Sequence, residues 1–145
     1  MSVDLAELNK IEGVTDAFIY SKWGELLAPQ LPYTAARIGL FGREVALCTI
    51  LLEKMRQELD FFEFIYESKR AIVRMSQNFF ILVICDDVAD TTLIKLTMNV
   101  IHEDVKGDKD IQKSLRKSPG KKDLLAEAQE ESDLKALLVR LKITT

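Results

Sequence analysis

Few side chains in this sequence could do chemistry. His102 is the single histidine, and it falls late in an apolar-periodic stretch, Thr91 to Val105. No second histidine and no cysteine lies near it, so a zinc-type set of nitrogen and sulfur donors does not assemble. Asp86, Asp87 and Asp90 crowd one short stretch. Grouped carboxylates can hold a hard cation, but this spacing lacks the glycine and terminal glutamate of a calcium loop. Asp90 stands where a helix takes its N-cap. Cys48 and Cys85 both lie inside apolar runs, where burial keeps a thiol poorly reactive. No serine, cysteine or lysine has a recognisable activating context. Gly39 and Gly42 fall within a helical pattern, which is not the geometry of a phosphate-cradling loop. No catalytic residue, cofactor site or metal site is expected, and the chain reads as a binding module.

The bulk numbers agree with that reading. The chain has 145 residues, 48% of them apolar, enough for one domain with a sizeable core and a short appendage. A net charge of −3 suggests neither nucleic acid nor an anionic membrane as a general partner. Two cysteines are too few for a disulfide framework, so reduced core thiols and a cytoplasmic location are expected. The opening MSVDLAELNK has no signal-peptide core. No apolar run approaches the roughly 20 residues of a spanning helix.

The elements that would position partner-binding residues follow from periodicity. Asp4 to Ile11 is a short helix with Leu5, Leu8 and Ile11 on one face, stopped at Gly13. Val14 to Ser21 alternates as a strand, with Ala17 and Ile19 on one side and Phe18 and Tyr20 on the other. Lys22-Trp23-Gly24 turns the chain into a short return strand, Glu25 to Ala28. A long helix runs from Tyr33 to Leu59. Strands follow at Phe61 to Glu67, with Phe62, Phe64 and Tyr66 in phase, and at Arg70 to Met75, with Ala71, Val73 and Met75 in phase. A third, Phe79 to Cys85, is apolar at every position. A strand apolar on both faces must be covered on both faces, so it lies centrally with helices packed on both sides of a mainly antiparallel sheet. The helix Thr91 to Val105 presents Leu93, Leu96, Val100 and Ile101 as its apolar stripe. The fold class is α/β (α+β): a five-stranded antiparallel sheet between helices, in the order α-β-β-α-β-β-β-α, over residues 1–106.

The long helix is stickier than a monomer requires. At about 100° per residue, Ile38, Phe41, Val45, Cys48, Leu52, Met55 and Leu59 form one stripe, and Leu40, Leu47 and Leu51 a second. Ala35, Gly39, Gly42 and Ala46 make a third face of small residues. Each glycine inside a helix costs about 1 kcal/mol relative to alanine. The small face therefore points either to close helix-on-helix contact with a partner chain or to a helix resting tightly on its own sheet. One stripe can bury against the sheet, and the remainder predicts a homodimer with paired long helices. The expected dimer or partner interface comprises Ala35, Ile38, Gly39, Phe41, Gly42, Val45, Ala46, Leu52 and Met55, with Phe62 and Phe64 from the strand that would pair with its copy at the sheet edge.

The opening helix running into Ile11-Glu12-Gly13-Val14, the strand Ala17-Phe18-Ile19-Tyr20, the Trp23-Gly24 turn before Glu25-Leu26-Leu27-Ala28, the long helix and the three strands after it resemble the roadblock / dynein light chain family over roughly residues 2 to 106. The resemblance implies a dimer with a sheet continuous across both subunits and long helices paired across it. It further implies a regulator or scaffold of a Ras-like small GTPase, with no catalytic residues of its own. Arg37 and Arg43 on the long helix are candidate GTPase contacts, since an arginine supplied in trans can stabilise transition-state charge. A solvated helix arginine is the commoner reading. The rivals are a PAS-like or GAF-like small-molecule sensor, which needs a pocket with convergent polar groups, and a purely structural assembly subunit.

Residues 107–145 depart from that pattern. Lys106 to Lys122 holds seven basic and two acidic residues, a composition suited to a solvated linker, with an anionic surface or an acidic partner as the alternative. Asp123 to Leu141 carries Leu124, Ala128, Leu134, Leu137, Leu138 and Leu141, an amphipathic helix expected to dock on the domain, on a second subunit or on a partner helix.

Overall fold

The computed structural model describes residues 4–29, 36–55, 60–66, 68–117 and 143–144, and for 36–40, 54, 66 and 143–144 the backbone alone. In chain order the elements are α1 (Ala6–Asn9), β1 (Val14–Ser21), β2 (Leu26–Ala28), α2 (Ala36–Lys54), β3 (Phe61–Tyr66), β4 (Lys69–Met75), β5 (Phe79–Cys85), α3 (Thr91–Gly107), α4 (Lys109–Lys117) and β6 (Ile143–Thr144). The strands form one antiparallel sheet in the order β2-β1-β5-β4-β3-β6. The five expected strands are all present, with β5 inside the sheet between β1 and β4. The sixth comes from the end of the chain.

Alternation along the strands divides the core in two. Ala17, Ile19, Ile72, Phe79, Ile81, Val83 and Cys85 pack with Leu5 and Leu8 near α1 and with Ile94, Met98, Ile101 and Val105 of α3. Phe18, Tyr20, Phe62, Phe64, Ala71, Val73, Phe80 and Leu82 pack with Phe41, Val45, Ala46, Cys48, Ile50 and Leu52 of α2. The sheet is thus the middle of three layers, as its two-sided apolar strands require.

Two expectations are corrected. The α3 stripe was assigned to the wrong side. Of Leu93, Leu96, Val100 and Ile101, Ile101 alone faces the core, while Leu93, Leu96 and Val100 are 46%, 60% and 62% exposed. The helix carries a second, longer stripe, Ile94-Met98-Ile101-Val105, and that one is buried. Lys95 reaching Glu63 at 3.1 Å and Asn99 accepting from Arg74 Nε at 2.9 Å hold this rotation against the sheet. The second correction concerns the basic stretch. Residues 109–117 are helical, started by Asp108 accepting from the Ile111 N–H at 3.0 Å, and Ile111 is buried in the α1–α3 core. Asp90 caps α3 as expected, accepting from the Leu93 N–H at 3.2 Å. The proposed amphipathic segment Asp123 to Leu141 lies outside the described residues.

The β1–β2 turn meets α2 through glycines. Gly24 has φ +96°, and a Cβ there would stand 2.7 Å from the Arg43 Cα. A Cβ on Gly42 would drive into the Tyr20 ring and stand 2.8 Å from the Gly24 carbonyl oxygen. For Gly42, a helix resting tightly on its own sheet is the arrangement found. We expect Gly42→Ala to lose about 1–3 kcal/mol of stability through overpacking, despite its higher helix propensity. Urea unfolding would measure it, and a variant at least as stable as the parent would show that α2 does not need this approach.

Candidate partner-binding surfaces

The residues expected at a dimer interface divide sharply. Phe41, Gly42, Val45, Ala46 and Leu52 of α2, and Phe62 and Phe64 of β3, are buried within the chain itself. Phe41 and Phe64 stack at a tilt with ring centroids 6.0 Å apart, and Phe62 and Phe64 stack at 6.1 Å. These side chains join α2 to its own sheet. Met55 is 57% exposed. Arg43 is exposed on α2. Ala35 and the side chains of Arg37, Ile38 and Gly39 lie outside the described residues.

The edge of the sheet also differs from expectation. β3 does not stand open. Its outer side pairs antiparallel with β6, Glu63 opposite Thr144 and Phe64 opposite Ile143. The signal for β6 in the sequence is one pair of β-branched residues, too short for a periodic pattern.

An open cavity of about 550 Å³ lies at the end of the sheet where α2 and α3 both finish, lined in part by Lys22, Glu53, Asp60, Arg74, Ser76 and His102. Four of its charges form two ion pairs. Lys22 meets Glu53 at 2.9 Å, and Arg74 meets Asp60 at 3.6 Å. His102 is tied to Ser76 Oγ through Nε2 at 2.9 Å, and its ring packs 5.3 Å from that of Phe79. Burial is the main cause that lowers the His102 pKa, helped by the Arg74 charge and opposed by Glu103. Burial likewise pushes the Tyr20 phenol and the Cys85 thiol upward. Asp86 accepts from the Val88 N–H at 3.1 Å, which together with the Asp90 cap engages two of the three loop carboxylates in backbone turns. Among the described residues no group of three or more histidines, cysteines or carboxylates could hold a metal ion, and no helix is long and apolar enough to cross a membrane.

The layer order and the register of the strands identify the architecture on comparison with solved structures. The fold is that of the Roadblock/LC7 domain. A Roadblock/LC7 domain from Streptomyces avermitilis superposes with a TM-score of 0.60 at 11% identity, covering 70% of this chain and 90% of that one. A structure of MglB with tetrameric arrangement gives 0.52 at 19% identity, over 70% and 81%. MglC from Myxococcus xanthus gives 0.51 at 12% identity, over 70% and 92%. No protein-family model and no curated protein matches the sequence. The roadblock fold is therefore carried here at 11–19% identity to these structures.

His102 gives this roadblock fold a pH dependence. Its pKa is lowered in the folded state, so the unfolded chain binds the proton more readily. The associated stability is fully present above the unfolded value near 6.5 and is lost as pH falls through the folded value. The urea midpoint should fall between about pH 7.5 and about pH 5.5, before most carboxylates titrate. His102→Gln should flatten that slope, and an unchanged slope would assign the effect to other groups.

Proposed function

We propose that this chain is a non-catalytic regulator or scaffold of a Ras-like small GTPase that works as a homodimer. The observation that carries the reading is the fold: the chain spans 90% of a Roadblock/LC7 domain. The state of the reactive side chains supports it. Both cysteines are buried, His102 is held by Ser76 and Phe79, and Asp90 is a helix cap. The sensor alternative needs convergent polar groups around a ligand. In the cavity at the end of the sheet, opposite charges meet each other instead.

With Phe41, Val45 and Leu52 committed to the sheet, partner contact falls to the remaining surface of α2, which includes Arg43, to Met55 directly after it, and to the β3 side of the sheet. Capture of Ras-like GTPases loaded with GDP or with a GTP analogue tests the reading. The expected result is binding that depends on the nucleotide state. Arg43→Ala, and separately Arg37→Ala, should weaken binding by about 1 kcal/mol or more if that helix face is the contact. Unchanged GTP hydrolysis in both variants would remove a trans-acting arginine while leaving the scaffold role. Failure to bind any such GTPase in either nucleotide state would defeat the proposal.

A further inference from the structure

The two edges of the sheet are built differently. The β2 edge is blunt: three residues long, with a register irregularity against β1 between Ile19 and Tyr20, and Pro29 directly after it. Short length, irregularity and proline are the devices that stop an edge from recruiting another strand. β3 has none of them. It runs for six residues in unbroken register with β4 from Phe61↔Arg74 to Tyr66↔Lys69. Its sequence, Phe-Phe-Glu-Phe-Ile-Tyr, contains one charge, and Lys95 neutralises that glutamate from α3. Phe62 and Phe64 anchor it in the core, while Ile65 stands 41% exposed. A long, regular, apolar edge of this kind is a template for a further strand.

In this structure the template is filled from within the same chain, and only in part. β6 matches Glu63 and Phe64, two of six positions. Residues 118–142 separate it from α4. A ladder that matches two of six positions is short enough to be displaced by a longer strand, so β6 is an exchangeable cover rather than a fixed part of the sheet.

We propose that β6 is an intramolecular cover of the β3 edge, and that its competitor is β3 of a second copy of this chain. Antiparallel pairing of a strand with its own copy is the closed, two-fold solution for such an edge. It could pair positions of β3 that β6 leaves unmatched. Cover and copy need the same outward N–H and C=O groups of β3, so they exclude each other. Self-association is therefore set by release of the last residues of the chain, an inference that rests on the homodimer reading above.

Sedimentation velocity on the full chain over a range of concentrations tests it with two variants. Ile143→Pro with Thr144→Pro removes the N–H groups β6 can offer to a ladder. Glu63→Cys with Thr144→Cys places cysteines at directly opposed positions, where Cα atoms about 4.5–5.5 Å apart admit a disulfide that locks the cover shut. The proline variant should dimerise at a concentration about tenfold or more below that of the parent, as a competing state is removed. The locked variant should stay monomeric until reduced. If the proline variant, the locked variant and the parent associate equally, the cover is overturned while the homodimer stands. If the proline variant associates less than the parent, β6 pairs between chains and the proposal fails. If no form associates, the cover and the homodimer both fall.

Discussion

The rest of the structure depends on one constraint: β5, Phe79–Cys85, has no polar residue on either face. A strand with one apolar face can be satisfied by one layer. This one leaves large side chains in water unless both faces are covered, at roughly 1.5–3 kcal/mol for each. Its neighbours share the burden, since β1 and β4 also send buried residues to both sides. The consequence is a sheet enclosed between α2 on one side and α1, α3 and α4 on the other. The close approach of Gly24 and Gly42 is what lets α2 settle at the distance that this enclosure needs.

Enclosure determines which surfaces are left for partners. The seam Phe41-Val45-Cys48-Leu52 looks in sequence like material for a helix pair, and it is consumed by the upper half of the sheet's own core. What remains outside is unusual for a small domain: an apolar stripe on α3, Leu93-Leu96-Val100, and a regular aromatic edge covered by two residues from the far end of the chain. The roadblock fold thus has its inner faces filled by local necessity, while apolar side chains of α3 stand outside it.

The cavity at the end of the sheet shows the same economy. Four of its ionisable groups form two ion pairs, Lys22 with Glu53 between the β1–β2 turn and α2, and Arg74 with Asp60 at the end of the β3–β4 ladder. His102 links α3 to the β4–β5 turn through Ser76. These contacts tie together the elements that surround the open end of the layered structure.

As far as α3, the sequence by itself determined the element types, their order and the two-sided burial of the central strand. Those follow from short-range periodicity: alternation in Val14–Ser21 and Arg70–Met75, the unbroken apolar run of Phe79–Cys85, and the cap at Asp90. The candidate partner surface was less legible. On α3 two apolar stripes compete, and periodicity alone does not say which one turns inward; Lys95 and Asn99 settle it through Glu63 and Arg74, residues remote in sequence. On α2 the seam was visible, but its claim by the sheet depended on Tyr20 and Gly24 meeting Gly42. β6 is two residues long, with no pattern of its own, and becomes a strand only because β3 offers it a ladder. Tertiary structure alone decided these points, because each is a choice between surfaces of similar apolarity, made by contacts that cross the chain.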